Sequence, residues 1–481
     1  MAPACLVRLS KSLSKADTAP GAPRRLLPLA WPIFVEQLLH MSTGVIDTFM
    51  VSHISDGAVA ALGSANQIII LFVVLFGIVG IGTSVVITHH LGGGDRAGAD
   101  RIAATAIGVN TWFGLLASVL VLVLAQPMLD LIQLSPALQV YALPFLSIMG
   151  ATLFLEAMIQ SISAVLRAHG HTRDAMVVAI GQNVLNVIGN CILLFGLFGA
   201  PKMGVEGVAL STVFSRIVAC AVMWALLSYR IHLRVRLADF FQFSKERLGR
   251  ILHIGLPAAA ENASWFLSFM TITALTARMG DQTLATQTYA MQLVWVVVLC
   301  SVAIGLATEI IIGHMVGAGE FDEAYEQVLR SVRLGLVIAF AVASVVALLS
   351  PWLLAFFTQD PVIITAGVLL MRMGVLLEPG RVFNLVVINA LRATGDARYP
   401  VLMGVFSMWG VMVLGSWFLG TYLGWGLVGV WIAMTADEWL RGLMMYRRWK
   451  QRKWLKYAER TRAKVQEHQA PTTPAHSSAA R

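Results

Sequence analysis

The sequence predicts an all-α polytopic membrane protein, twelve transmembrane helices arranged as two parallel six-helix repeats around a central cavity. Composition is the first reason. Of 481 residues, 57% are hydrophobic and only 13% charged, with a mean hydropathy of +0.75, far from the balance of soluble domains. Length of the apolar runs is the second, since a helix needs roughly 20 such residues to cross a bilayer. The third is an internal duplication at a fixed offset of 225 positions. Pro32, Glu36, Asp56, Gln67, Thr83, His89, Gly92 and Gly94 return as Pro257, Glu261, Asp281, Gln292, Thr308, His314, Gly317 and Gly319. Leu166-Arg167-Ala168, Gly170 and Arg173 return as Leu391-Arg392-Ala393, Gly395 and Arg398. Shared leucines could follow from composition; Pro, Glu, Gln, His and Gly in one register do not. Fused copies of a membrane unit enclose a site at their interface.

The first run, 27–52, opens on Pro32 and carries Glu36, His40 and Asp47. The second, 62–90, ends at the turn Gly92-Gly93-Gly94-Asp95, which Gly317-Ala318-Gly319-Glu320 mirrors after the eighth. Runs 102–126 and 138–167 follow, then 172–198 with Asn183, Asn186 and Asn190 at helical spacing, and 205–229 with Arg216. The second copy comprises 252–278, 285–313, 328–350, 362–391, 400–420 and 425–446. These runs are continuous rather than alternating, which excludes a β-barrel, so helices must satisfy the backbone in lipid. Six spans per half is an even number, so both halves enter from the same side and the repeats are parallel. The expected organisation is an N-terminal tail 1–25, a bundle 26–230, a basic linker 231–249, a bundle 250–447 and a basic/disordered tail 448–481, basic through Lys464 and disordered from about Val465.

Charge placement gives orientation. Lys and Arg gather in the N-terminal tail, in the loops after even-numbered helices and in 447–464, while the opposite side offers Lys202 and Arg278. By the positive-inside rule both termini are cytoplasmic. The net charge of +9 is thereby topology, and nucleic acid is not an expected partner. Residues 1–25 lack a separate apolar core, so a cleaved signal peptide is not expected. Cys5, Cys191, Cys220 and Cys300 show no metal or redox spacing. No GxxxxGK[ST] loop is present, which leaves an ion gradient as the drive rather than a nucleotide. Neither an enzyme nor a cofactor or metal site is expected, beyond a transported H+ or Na+, and the chain is expected to act as a monomer.

Ionisable groups inside the membrane are the functional candidates, since each costs roughly 2.5–3.5 kcal/mol on insertion scales. Eleven residues are about three helical turns, so Glu36, His40 and Asp47 share nearly one face. Asp47 is the first coupling candidate; the alternative is an interfacial charge near the outer mouth. Glu36 and Glu261 each follow a proline by four residues and are expected to face each other across the pseudo-axis. They are read either as coupling groups or as helix-start acids at the positive dipole end. The tenth helix carries Glu378-Pro379-Gly380-Arg381. Pro and Gly are expected to interrupt it at mid-membrane, as in many transporter sites, with Glu378 and Arg381 lining the cavity or neutralising one another. Asn183 and Asn186 line a cavity or form a polar helix seam. Gln67 and Gln292 line the cavity or pack symmetrically. Glu309 has no evident partner.

Pro32-Ile-Phe-Val-Glu36 through Val45-Ile-Asp-Thr-Phe-Met-Val51, together with Leu391-Arg-Ala-Thr-Gly-Asp-Ala-Arg398 and the two-fold layout, resembles the multidrug and toxic compound extrusion (MATE) transporters, in their bacterial NorM/DinF-like form. The resemblance spans about 26–447. It implies a V-shaped pair of six-helix bundles that expel organic compounds in exchange for protons or sodium. It also implies a cation or proton site at Asp47, an Asn partner for it at Asn183 or Asn186, and a cation ligand at Glu261. Glu378 stands where sodium-type members carry an Asp, which favours protons. Trp265, Phe269 and Trp295 would suit flat organic cations, or pack at the interface.

The expected function is therefore a secondary antiporter of the bacterial cytoplasmic (inner) membrane that exports small organic compounds, amphipathic or cationic, in exchange for protons and otherwise sodium. A lipid-linked saccharide flippase of the same superfamily is the alternative, although such proteins carry extra helices and a strongly cationic cavity. A non-transport membrane receptor would not need paired intramembrane acids.

Overall fold

The computed structural model describes residues 25–233, 240 and 244–469. The basic residues of 1–24, together with Arg234, Arg236 and the segment 470–481, lie outside the described residues. Among the described residues there is no strand. The first half comprises α1 (Leu26–Ser52), α2 (Asp56–Gly92), α3 (Arg96–Leu131), α4 (Pro136–Ala151), α5 (Leu153–Ala168), α6 (Thr172–Phe195) and α7 (Gly204–Leu226). The second comprises α8 (Lys245–Ala277), α9 (Asp281–Ala318), α10 (Phe321–Ala355), α11 (Pro361–Ala393), α12 (Arg398–Ser407, continued by π-helical turns to Tyr422) and α13 (Gly426–Lys450). A last helix, α14, runs Leu455–Gln469.

All twelve expected spans are helical. Eight described helices are long and apolar enough to cross a membrane alone, and the bent α4–α5 pair makes nine. The other three, α1, α8 and α13, carry ionisable residues within their apolar runs, such as Glu36 and Asp47 on α1 and Asp437, Glu438 and Arg441 on α13.

Two expectations are corrected. The tenth span is not interrupted: α11 runs unbroken through Pro379-Gly380. Proline removes the donor that would serve Val375 O, yet the helix keeps its path, with Trp439 Nε1 donating to the neighbouring Leu376 O at 2.9 Å and its indole packing on Gly380. The break falls instead in the fourth span, where α4 and α5 meet at Thr152 with a 48° bend. The tail after 447 is helical over Leu455–Gln469, past the Val465 at which disorder is expected to begin. Trp454, Ala458 and Val465 put an apolar strip on α14, Trp454 stacks on Trp449 at 4.4 Å, and the helix lies against the ends of α2 and α9.

The halves meet where the turns after α2 and α9 lie. Both turns pass through a left-handed glycine, Gly94 at φ +79° and Gly319 at φ +84°, a conformation that glycine adopts without strain. Here α2 and α9 cross backbone to backbone. A Cβ on Gly92 would strike His314 O, and one on Gly317 would strike His89 O, so these glycines set the approach distance. Leu29 and Ile33 of α1 share one core with Ile310, Ile311 and Val316 of α9, and α2 touches α8 through Gly82 and Gly255. The basic loops flank this seam, which is sealed.

Candidate functional site: buried charges in two unequal halves

Proline placement and the four-residue spacing after it put one carboxylate at the same level on α1 and α8. Each is neutralised within its own half. Arg167 Nη1 of α5 donates to Glu36 Oε1 at 2.6 Å, and Ser163 Oγ donates to the same oxygen at 2.5 Å. In the second half Arg392 Nη2 of α11 donates to Glu261 Oε2 at 2.7 Å. The two pairs are repeat equivalents, built on the duplicated Leu-Arg-Ala. Thus Glu36 and Glu261 are salt-bridged to Arg167 and Arg392 rather than engaged with each other.

The residues beside those arginines tie the halves together. His89 Nε2 lies 2.6 Å from Ala393 O, and His314 Nε2 lies 2.8 Å from Ala168 O. A carbonyl only accepts, so both ring nitrogens carry hydrogen. Again the residues are repeat equivalents, and each histidine reaches into the opposite half. Among the described residues, no hydrogen bond joins the halves at the other end.

Asp47 sits deeper in the first half, 5% exposed. Asn190 Nδ2 of α6 donates to its Oδ1 at 2.8 Å, and Thr212 Oγ1 of α7 lies 3.4 Å from its Oδ2. Asn190 also bonds Asn186 Oδ1 at 3.2 Å, and Asn186 Nδ2 donates to Thr212 Oγ1 at 2.9 Å. Asn190 is the nearer amide partner, and Asn186, one helical turn earlier, also acts on Asp47. Asn183 instead accepts from Thr43 Oγ1 at 2.9 Å. No basic side chain pairs with Asp47 among the described residues: Arg216, the buried cation of this half, is held by Glu156 at 3.2 Å. A carboxyl so placed is tolerated as the neutral acid or with a cation beside it, because an isolated buried anion is costly.

The second half is built differently. Arg381 bonds Glu378 at 2.8 Å and Glu438 at 3.1 Å, and Arg441 bonds Asp437 at 2.6 Å and Glu438 at 3.2 Å. Asn384 Nδ2 donates to Glu438 Oε2 at 2.9 Å, and Ser407 Oγ donates to Asp437 Oδ1 at 2.6 Å. Three carboxyls thus share two guanidinium groups, all five side chains buried. Spacing within α11 anticipates the Glu378–Arg381 pair, but the contribution of α13 required the fold.

Gln67 and Gln292 are exposed at matching positions on α2 and α9. Trp265 stacks on Phe269 at 5.4 Å and meets Trp295 edge-on at 6.0 Å, so these aromatics of α8 and α9 form one cluster. Glu309 of α9 is 1% exposed, and its Oε2 has no hydrogen-bond partner.

The pattern of the MatE family matches this chain twice, over 32–192 and 257–418, once in each half. The chain belongs to the MatE family. Among curated relatives, the uncharacterized transporter YisQ of Bacillus subtilis is 42% identical over 89% of this chain and 94% of its own. A probable multidrug resistance protein NorM of Thermotoga maritima is 26% identical over 95% of this chain and 99% of its own. The Vibrio cholerae MATE transporter VcmN, solved in a bent form, superposes with a TM-score of 0.82 at 20% identity, covering 93% of this chain and 99% of that one. As a MatE member the chain is a multi-pass membrane transporter, not an enzyme, with the twelve-helix fold of its structural neighbours.

Within this MatE chain, sequence reading missed three contributors: Thr212, Glu156 and the reciprocal histidine bonds. The histidines had a signal, because His89 and His314 are duplicated where apolar residues would serve packing equally well. Thr212 had none, since one hydroxyl on an apolar helix is unexceptional.

Proposed function

We propose that this transporter is a secondary active antiporter that exports small organic compounds, amphipathic or cationic, in exchange for protons. One observation carries the reading: Asp47 is buried among neutral donors, without a cation of its own. Such a carboxyl can hold a proton or a cationic compound in turn, and that exclusivity couples two fluxes in opposite directions. Relatives named as multidrug resistance proteins support organic compounds as cargo. By the positive-inside rule the basic loops favour the cytoplasmic face of the inner membrane for the sealed end and both termini, which in this reading leaves the site facing outward. Glu36–Arg167 and Glu261–Arg392 stand at the sealed end as matched ion pairs whose rearrangement accompanies opening. Gln67 and Gln292 line the route of the compound, the buried Asn183 and Asn186 form the polar seam behind Asp47, and Glu378 with Arg381 stiffens the second half. The gradient supplies the energy, no cofactor takes part, and one chain suffices, since the Asp47 site is built entirely from helices of its own first half.

The test is proton movement in proteoliposomes under an imposed pH gradient as organic cations are added, with and without sodium. Compound-triggered proton flux that disappears in Asp47→Asn supports the proposal. Flux that requires sodium and persists in Asp47→Asn contradicts it.

A further inference from the structure

A cavity of about 800 Å³ opens at the sealed end between α2, the start of α8, the turn into α12 and the roof formed by α14. Its walls belong to both halves: His89 comes from the first, Arg250 and Arg398 from the second, and Arg460 and Lys464 from α14. None of these groups is used in the transport scheme, and His89 alone takes part in the seam, through Ala393.

Cations outnumber carboxylates on the walls. Arg250 is engaged by Glu246 at 2.6 Å, and Glu467 is the other acid. Arg398 and Arg460 are in no ion pair among the described residues. The charges of Arg398 and Lys464 both act on His253, an exposed residue of the same wall, so the cations converge on one space. On α14, Arg460 and Lys464 lie four residues apart, which puts them on one side of the helix. Guanidinium forks match phosphate oxygens in a bidentate way, and a lysine adds a point charge. The hydroxyl of Thr461 on the same wall is a further donor. The volume is ample for a phosphodiester group.

We propose that this cleft binds a phosphate-bearing anion, held by Arg398, Arg460 and Lys464, which fastens α14 and both halves at the sealed end. Two sources share that chemistry: the headgroup of an anionic phospholipid, which basic clusters beside a membrane attract, or a free phosphate compound. A ligand there rests beside the His89–Ala393 bond and opposes separation of α2 from α11 and α14.

The experiment uses the full chain in nanodiscs of phosphatidylcholine alone, or with phosphatidylglycerol added, or with soluble glycerol 1-phosphate added. Readouts are the thermal unfolding midpoint and lipid adducts by native mass spectrometry. Two variants remove equal charge: R398Q/R460Q from the cleft and K453Q/K456Q from the segment beside it. The single variants R398Q and R460Q, both at exposed positions, guard against a misfolded double variant. Phosphatidylglycerol is expected to raise the midpoint and form a retained adduct. R398Q/R460Q should weaken the response about tenfold in lipid concentration, equal to about 1.4 kcal/mol, while K453Q/K456Q keeps it. A response to glycerol 1-phosphate in phosphatidylcholine discs would assign the site to a free phosphate compound. Equal responses in both double variants, or no response to either phosphate source, would overturn the proposal.

Discussion

The two halves share a backbone plan but distribute charge differently. At the sealed end they match residue for residue: Glu36–Arg167 with Glu261–Arg392, and His89–Ala393 with His314–Ala168. Further into the bundles the match fails. The repeat position of Asp47 is Ile272, that of Asn190 is Gly415, and that of Thr212 is Asp437. An acid on the first helix of one half has thus become an acid on the last helix of the other. Glu156 is replaced by Arg381, while Arg216 is kept as Arg441. The first half is left with Asp47, a carboxyl in no ion pair among the described residues; the second encloses Glu378, Asp437 and Glu438 in a lattice of two arginines, with Glu309 of α9 buried outside it. Symmetry is retained where both halves must close together, and lost where the proposed coupling resides.

Asp47→Asn should have the largest effect. It keeps the shape and removes the exchangeable proton, so compound-driven proton flux should fall more than about a hundredfold, against a mutation worth less than about 1 kcal/mol in stability. Equal loss from Glu378→Gln would erase the proposed difference between the halves. Breaking one symmetric pair comes next. Arg392→Ala strands Glu261 and should cost about 3–5 kcal/mol, read as a lower unfolding midpoint. The double change Glu261→Gln/Arg392→Ala should recover much of that loss. If Arg167→Ala costs far less than Arg392→Ala, the two pairs are not equivalent. Removing a histidine bond is smaller. His89→Ala or His314→Ala should each cost about 1–3 kcal/mol, the penalty of a buried acceptor left without its donor, and should increase labelling of cysteines introduced along the seam. Smallest is Asn190→Ala. Loss of one hydrogen bond to Asp47 should shift the pH midpoint of transport while leaving the maximal rate within about fivefold, since such a bond is worth about 1 kcal/mol.

Much of the architecture was legible because it follows from solvent and repetition. Apolar runs of membrane length, and Pro, Glu, His and Gly in one register, mark twelve helices and two halves without any knowledge of contacts. The Glu378–Arg381 pair was legible too, being local to one helix. Pairs between helices were not. Nothing in the spacing of α1 and α6 tells which of three asparagines reaches Asp47, because helix rotation and depth are set by packing; Asn190 wins by one turn. The unbroken α11 was also hidden, since Pro379 carries the sequence signal of a break while the indole that packs against this turn, Trp439, arrives from α13. The folded α14 escaped notice for a related reason: its apolar strip is thin, and only the ends of α2 and α9 give it something to cover.

The central claim is that coupling resides in the first half, at a buried carboxyl that makes no direct ion pair. The most direct test compares proton flux triggered by an organic cation in sodium-free proteoliposomes containing the unaltered chain, Asp47→Asn or Glu378→Gln. The claim predicts that Asp47→Asn abolishes the flux while Glu378→Gln retains it. Persistent flux in Asp47→Asn, or its loss only in Glu378→Gln, would place coupling in the second half and contradict it.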